Sequence, residues 1–212
     1  MLKPVIPGDQ WELGSWLQDG FVDRQGNIIV PQNARAAVAW YRRSANLGHP
    51  AAQNSLGVCL SDGKGTRRDD REALAWLKRA LRQGDGCAAN NIASVYRDRR
   101  DSRRALYWYE RAAEGGDSDA LVEVGARYYA GVGATRNPAY AVNCFRQAIQ
   151  SRKVNISQAG RESAMYHLGI ACYEGNGVRQ SNSLALKWLI EANKDDDFPA
   201  ARAAIDLITG KK

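Results

Sequence analysis

Apolar and small residues recur every three or four positions along most of this chain, in segments separated by turns rich in glycine. This spacing is typical of helices that bury one face. The segments alternate between two kinds, so we predict pairs of helices joined by turns. The first helix of a pair is predicted at residues 50–61, 87–96, 119–130 and 162–173.

Glycines and polar capping residues predict where the helices begin and end. Three first helices run into paired glycines, which can take the positive φ of a helix C-cap: Gly63 and Gly65, Gly131 and Gly133, and Gly175 and Gly177. Second helices are expected to begin near the N-cap residues Asp69, Asn137 and Ser181 and to end at Gly48, Gly84 and Gly116.

The helix pairs repeat in a fixed register. One position of the second helix, three residues after an alanine, holds Trp40, Trp76, Trp108, Cys144 and Trp188. One position of the first helix, directly after an apolar residue, holds Gly14, Gly57, Ala93, Gly125 and Gly169. Gly57 and Trp76 are 19 residues apart, and Trp76 and Ala93 are 17 apart, so the basic repeat is 36 residues long.

Glycine within a helix costs about 1 kcal/mol relative to alanine, so its recurrence at Gly57, Gly125 and Gly169 indicates a packing reason. We expect a neighbouring helix to come so close that a side chain there would collide with it. We also expect the tryptophan of the second helix to fill the gap between successive hairpins. One hairpin cannot bury its apolar face alone, whereas five stacked hairpins share a continuous core.

A motif of Ala-x3-Leu/Val-Gly followed by a Gly-x-Gly turn starts at Ala52, Ala120 and Ala164. It resembles the SEL-one-like repeat, a relative of the tetratricopeptide repeat. The resemblance covers about residues 8–208. It departs from the family pattern where the third repeat lacks the glycine turn and where Cys144 replaces the aromatic residue.

The resemblance implies an all-α fold, a right-handed α-solenoid of about five helix-turn-helix repeats plus a C-terminal capping helix. We predict a single domain over residues 1–212, with repeats at approximately 8–48, 49–85, 86–117, 118–160 and 161–197 and the capping helix at 199–208. The family resemblance further implies a concave face, lined by first helices, that binds other proteins and carries no catalysis.

Groove-facing positions follow from the tetratricopeptide analogy: three residues before the small residue of each first helix, and one and four after it. The partner-binding residues predicted in this way are Trp11, Asn54, Asn90, Arg97, Tyr129, Tyr166 and Tyr173. Asn and Arg side chains can bond a partner's backbone, and aromatic side chains supply rigid anchors. A concave face that is merely solvated is the alternative.

The chain has 30 Lys and Arg against 23 Asp and Glu, a net charge of +7 that admits an acidic protein, an anionic surface or nucleic acid as partner. Five arginines lie within residues 97–104, and we define the basic patch as Arg99, Arg100, Arg103 and Arg104. Guanidinium groups suit carboxylates and phosphates alike. Because no aromatic residue is interleaved for base stacking, we expect a protein partner with an acidic patch and do not expect nucleic acid. A solvated loop, with its arginines paired to neighbouring acids, is the alternative.

Few residues could support chemistry. Cys59, Cys87, Cys144 and Cys172 form no CxxC pair and have no histidine at ligand spacing, so a metal site is not expected. We expect four buried or half-buried thiols, in line with a reducing compartment. Structural roles are expected for both histidines, and no catalytic residue or cofactor is predicted.

Two irregular segments interrupt the register. The loop at residues 21–33 contains three consecutive apolar residues, Ile28 to Val30, which either fold back on the adjacent hairpin or present an anchor to a partner. The insertion at residues 152–161 is expected to be a mobile surface excursion, although insertions in repeat arrays tend to map to a binding face.

These observations favour a non-enzymatic adaptor or regulatory scaffold in a bacterial-type cytoplasm. An immunity protein that neutralises a cognate secreted toxin, such as a lipase effector, is the main alternative that the family implies. A binder of nucleic acid or anionic surfaces through the Arg97–Arg104 cluster is the third. No apolar run is long enough to span a membrane and no signal-peptide core precedes Asp9, so we expect a cytoplasmic location, or a periplasmic one if a leader has been removed.

Overall fold

A computed structural model describes residues 7–22, 28–152, 155–195 and 197–210. This part of the chain forms eleven helices and one pair of short strands. The first helices are α1 (Pro7–Asp19), α3 (Pro50–Asp62), α5 (Ala88–Asp98), α7 (Ser118–Ala130), α9 (Gln158–Glu174) and α11 (Pro199–Thr209). The second helices are α2 (Ala34–Asn46), α4 (Asp70–Arg82), α6 (Ser102–Glu114), α8 (Pro138–Gln150) and α10 (Asn182–Ala192). The strands are β1 (Phe21–Val22) and β2 (Ile28–Val30).

The chain divides into two compact units, residues 1–98 (unit 1) and 99–212 (unit 2). In unit 1 each helix from α1 to α5 packs against the next one along the chain. In unit 2 the same holds from α6 to α11. First helices also contact each other across repeats, α3 with α5 and α7 with α9. The fold class is an all-α solenoid of helix-turn-helix repeats, as predicted.

The predicted caps are confirmed. Asp69, Asn137 and Ser181 are N-caps whose side chains accept a hydrogen bond from the backbone N–H three residues later. Gly63, Gly131 and Gly175 end their helices in the left-handed conformation, with φ of 71°, 74° and 72°. These local signals place helix ends because capping depends only on neighbours in the sequence.

The repeat glycines are sites of close helix approach, as expected. A Cβ on Gly57 would lie 2.6 Å from Leu77 Cγ, and one on Gly125 would lie 2.6 Å from Phe145 Cε1. Gly169 faces Leu189 in the same way, at 2.8 Å. The second helix of each hairpin therefore packs directly onto the backbone of the first.

The tryptophans are buried to different degrees. The residue that packs on the glycine directly follows the tryptophan position, as Leu77 follows Trp76, and one residue turns the side chain by about 100° around a helix. Trp76 is buried, but Trp40, Trp108 and Trp188 are only half-buried. Three of the four tryptophans therefore lie at the margin of the core.

A second turn glycine joins successive repeats. A Cβ on Gly133 would overlap the carbonyl of Ser102, at the start of the preceding second helix. Gly65 meets Ala34 and Gly177 meets Pro138 in the same way. The Gly-x-Gly motif therefore has two roles, a helix cap at its first glycine and a backbone contact between repeats at its second.

The two irregular segments are ordered where they are described. Residues of β1 and β2 pair antiparallel, so the apolar stretch of the first loop forms a strand, and the side chain of Ile28 is 71% exposed. The insertion ends in an extension of α9, with Ile156 buried and Ser157 as N-cap, while residues 153 and 154 lie outside the described part. Arg161 donates hydrogen bonds to the carbonyls of Ile149 and Ser151 at the end of α8. Residues 155–161 are therefore packed against the repeat and do not form an excursion from its surface, and their mobility stays a prediction.

The C-terminal helix α11 packs on α10 and buries Ala201, as a capping helix would. The sequence of α11 differs from the other first helices at one position. When Ala201 is aligned with Ala52 of α3, Asp206 occupies the position of Gly57. A carboxylate at this position does not permit the close helix approach that glycine allows.

Candidate functional site

Trp11 connects α1 to the start of α3. Its Nε1 donates a hydrogen bond to Ser55 Oγ at 3.1 Å. Its ring stacks on the imidazole of His49, with centroids 5.7 Å apart. His49 itself is the N-cap of α3 and accepts the N–H of Ala52 at 3.2 Å. Trp11 is half-buried, so part of its ring remains accessible in unit 1.

An amide pair links the first helices α3 and α5. Asn91 Nδ2 donates a hydrogen bond to Asn54 Oδ1 at 2.8 Å. Asn90, at the position equivalent to Asn54, is half-buried. The predicted residues Asn54 and Asn90 thus lie in neighbouring repeats, and the residue that contacts Asn54 is the neighbour of Asn90. The repeat length alone did not predict that Asn91, the residue after Asn90, contacts Asn54.

The predicted arginines fall on both units. In unit 1, Arg97 Nε lies 3.2 Å from Asp98 Oδ1, with the arginine side chain 49% exposed. In unit 2, all four residues of the basic patch (Arg99, Arg100, Arg103 and Arg104) are exposed. Arg104 lies 3.2 Å from Asp101, whose side chain also caps α6. Arg100 has a φ of 60°, which places it in the left-handed region at the turn before α6.

Tyr129 is held on two sides at the end of α7. Its hydroxyl donates a hydrogen bond of 2.6 Å to Glu174 Oε2, at the end of α9, and Asn176 Nδ2 donates to the same oxygen at 2.7 Å. The guanidinium of Arg136 lies 5.8 Å from the ring centroid, and Arg136 Nε donates to the Tyr129 carbonyl at 3.0 Å. Burial and the neighbouring carboxylate raise the pKa of Tyr129 to about 12, so the phenol is a neutral donor at physiological pH.

Tyr166 and Tyr173 occupy different environments on α9. The ring of Tyr166 lies 5.3 Å from that of Phe198, the residue before α11, and 5.4 Å from the imidazole of His167. The segment that begins α11 therefore covers part of Tyr166. Tyr173 is half-buried against the core of unit 2, at the position equivalent to Tyr129 one repeat later.

The histidine and cysteine side chains that could support chemistry lie mostly within the core. Burial lowers the pKa of His167, which stacks on Phe145 at 5.1 Å. Burial raises the pKa of the Cys59 thiol to about 11 and also raises that of Cys144 and Cys172. Cys87 differs from the expectation of four buried or half-buried thiols because it is exposed. In the described part of the chain, no three His, Cys, Asp or Glu side chains cluster as metal ligands would.

One contact of a predicted site residue was not visible in the sequence. Glu174 is the acceptor that positions Tyr129, and the two residues are 45 positions apart because the insertion lengthens this repeat. A constant period of 36 residues does not bring them together.

Over the residues described, no helix is long and apolar enough to cross a membrane.

The sequence model of the Sel1 repeat matches residues 9–49, 50–85, 88–117, 118–151 and 162–197. A curated relative, the chitin synthase regulator SKT5 of Malassezia restricta, is 34% identical over 67 residues. That match covers 32% of this chain and 5% of the relative, so the chain corresponds to a small part of that protein.

Solved structures show the same fold. A protective antigen of uropathogenic Escherichia coli with an SLR fold superimposes with a TM-score of 0.81 at 23% identity, over 98% of this chain and 42% of that one. A Sel1 repeat protein from Oxalobacter formigenes superimposes with a TM-score of 0.74 at 26% identity, over 94% of this chain and 78% of that one.

Proposed function

The chain belongs to the Sel1 repeat family, and from this membership we propose that it is a non-enzymatic adaptor or regulatory scaffold that binds a partner protein through its first helices. Sel1 repeats are protein–protein interaction modules. The proposed contact residues on the first helices are Trp11, Asn54, Asn90 and Arg97 in unit 1 and Tyr129, Tyr166 and Tyr173 in unit 2.

The fixed position of Tyr129 is the observation that carries this proposal. Tyr129 and Tyr173 each follow a repeat glycine by four residues, on first helices that contact each other. Glu174 and Arg136 hold the Tyr129 ring before any partner arrives. A preordered aromatic side chain loses little conformational entropy on binding, which is a property of anchor residues at protein interfaces.

The basic patch supports an acidic partner. Arg99, Arg100 and Arg103 are exposed in the same unit as Tyr129. Guanidinium groups bind carboxylates with two parallel hydrogen bonds, which adds orientation as well as attraction. We therefore expect the partner to combine a segment that contacts the two tyrosines with a carboxylate-rich patch.

Affinity capture from the native host, with mass spectrometry of the bound proteins, tests this proposal. Tyr129→Ala with Tyr173→Ala should abolish or strongly reduce capture of the partner without unfolding the protein. The matched control is Tyr107→Ala with Tyr140→Ala, which removes two exposed tyrosines from the second helices α6 and α8. Circular dichroism melts of both double variants establish that the fold is retained.

Equal capture by the two double variants would overturn the assignment of the first-helix surface. Turnover of a small-molecule substrate by the purified chain would instead overturn the non-enzymatic role. A partner whose contact region lacks acidic residues would overturn the expected charge complementarity.

A further inference from the structure

Charge in unit 1 is segregated between the two kinds of helix. The second helices α2 and α4 carry seven Lys and Arg and two Asp and Glu, a net charge of +5. The first helices α1, α3 and α5 carry one Arg and five Asp and Glu, a net charge of −4. The basic surplus of this unit is therefore concentrated on its second helices, away from the first-helix surface of the proposed function.

Both acidic residues of the two second helices are already paired. Glu72 accepts from Arg42 at 2.5 Å and from Trp76 Nε1 at 3.1 Å, and the arginine contact holds the pKa of Glu72 below its usual range. Asp70 is paired with Arg68 at 2.7 Å. The Arg42–Glu72 pair also joins α2 to α4.

Six basic side chains on α2 and α4 have no carboxylate within ion-pair distance in the described part of the chain. All but the half-exposed Lys78 are exposed, and the set comprises Arg35, Arg43, Arg71, Lys78, Arg79 and Arg82. Unpaired like charges on one surface repel each other, and an anionic partner that binds there would relieve this repulsion.

Four of these six residues recur at the 36-residue period, Arg35 with Arg71 and Arg43 with Arg79. On α2 an exposed alanine, Ala39, lies four residues from Arg35 on one side and from Arg43 on the other. On α4, Ala75 has the same two arginine neighbours at the same spacing, Arg71 and Arg79. The two helices are equivalent elements of successive repeats and are joined by the Arg42–Glu72 pair. We call the surface made of the two alanines, its floor, and their four flanking arginines, its walls, the second-helix channel.

Two of the wall arginines have a fixed position. The guanidinium of Arg79 lies 4.6 Å from the ring centroid of Trp76, and that of Arg43 lies 5.7 Å from the ring of Trp40. Stacking on an indole leaves the N–H edge of a guanidinium directed to an acceptor in the plane of the group.

The width of the channel selects the kind of partner. Arginines eight residues apart on one helix are separated by about 12 Å along its axis, close to the 10–12 Å diameter of a single α-helix with side chains. The face also lacks an exposed large apolar side chain on α2 and α4 that could insert into a bilayer.

We propose that the second-helix channel of unit 1 binds an acidic α-helix of a partner protein, which lies over Ala39 and Ala75 with carboxylates on both flanks against the arginine walls. The inference goes beyond the proposed function because it uses the second helices, so the chain has two independent binding surfaces. Arginine is enriched at interface hot spots, and small floor residues allow close helix approach.

Fluorescence anisotropy with a labelled 18-residue alanine-based helix, bearing glutamate on two opposite flanks, tests the proposal. Removing wall charge by Arg43→Gln with Arg79→Gln should weaken binding about tenfold or more, as expected for lost charge-assisted hydrogen bonds. Filling the floor by Ala39→Gln with Ala75→Gln should weaken it to a similar degree although every charge is retained. The same peptide with glutamine in place of glutamate should not bind.

Two comparisons make the result specific. Arg99→Gln with Arg103→Gln removes the same charge from unit 2 and should change the affinity by less than about twofold. Tyr129→Ala with Tyr173→Ala should also leave peptide binding unchanged, so failure of the first-helix proposal is distinguishable from failure of this one. Melting curves of the four double variants confirm that each is folded.

If the peptide still binds after the floor is filled, the assignment of its binding site to the second-helix channel is overturned. An 18-base-pair DNA duplex and phosphatidylserine vesicles serve as comparison ligands. If either binds as tightly as the acidic helix, and the floor variant does not change that binding, the face is a general anion surface and the proposal is overturned. An affinity that the wall variant does not alter would exclude the arginines as ligands.

Discussion

The hydroxyl of Tyr129 and the carboxylate of Glu174 form a 2.6 Å hydrogen bond between the ends of α7 and α9. The bond joins two successive first helices at their C-terminal ends. It also fixes the rotamer of the aromatic side chain that we propose as an anchor for the partner.

We predict that Tyr129→Phe lowers the free energy of unfolding by about 1 kcal/mol, the usual net value of a hydrogen bond. The charge of the Glu174 carboxylate strengthens the bond, whereas partial exposure of the site to solvent weakens it. Thermal and urea denaturation followed by circular dichroism measure the change. The matched control is Tyr173→Phe, since the hydroxyl of Tyr173 has no hydrogen-bond partner within the described residues. Equal stability of the two variants would show that the Tyr129 bond contributes nothing.

The two turn glycines of one repeat should differ in their tolerance to substitution. Gly131→Ala and Gly133→Ala both place a side chain at positive φ, with strain of about 1 kcal/mol. Only at Gly133 does the new methyl group overlap backbone, the Ser102 carbonyl of the preceding repeat; at Gly131 it meets the side chain of Arg136 at 3.2 Å. We expect Gly133→Ala to lower the melting temperature several degrees more than Gly131→Ala, and the reverse order would contradict this contact between repeats.

Stability should fall at alkaline pH through buried tyrosine. Burial raises the pKa of Tyr41 from 10.0 to about 12, so the folded state holds the phenolic proton more tightly than the unfolded state does. The stabilisation is therefore complete below about pH 10 and is lost as the pH rises towards 12; a shift of about two units corresponds to roughly 2–3 kcal/mol.

Denaturant titrations from pH 8 to pH 12 measure this dependence. Tyr41→Phe should lose less stability than the parent over the interval from pH 10 to pH 12, whereas the exposed control Tyr107→Phe should follow the parent. A steeper loss in Tyr41→Phe would show that another group controls the alkaline transition.

The sequence predicted the repeat register, the helix ends and the close approach at Gly57, Gly125 and Gly169. These features could be predicted because caps depend on adjacent residues and because a repeat presents the same packing problem five times over. The side chains that pack on these glycines, Leu77 and Phe145 among them, were not identified from the sequence. Apolar periodicity identifies a buried stripe but does not distinguish two neighbouring apolar residues within it.

The candidate sites depended more strongly on tertiary structure. Trp11, Asn54 and Tyr129 were predicted as contact residues from their register alone, and that role stays a prediction. Their partners Ser55, Asn91 and Glu174 come from other helices at offsets that a constant repeat length does not give. The contact between Asn91 and Asn54 differs from the period by one residue. The contact between Tyr129 and Glu174 differs from it by nine, mostly because of the insertion.

The sequence by itself therefore determined that this chain is a stack of helical hairpins with a net charge of +7, since periodicity, caps and composition are properties of the linear chain. It directed attention to the local cluster of arginines between residues 97 and 104. Only the tertiary structure showed which of these charges are paired and which are exposed, as on α2 and α4 of unit 1. The physical reason is that electrostatic and packing energies depend on distance in space, and folding brings together residues such as Arg42 and Glu72 that are 30 positions apart.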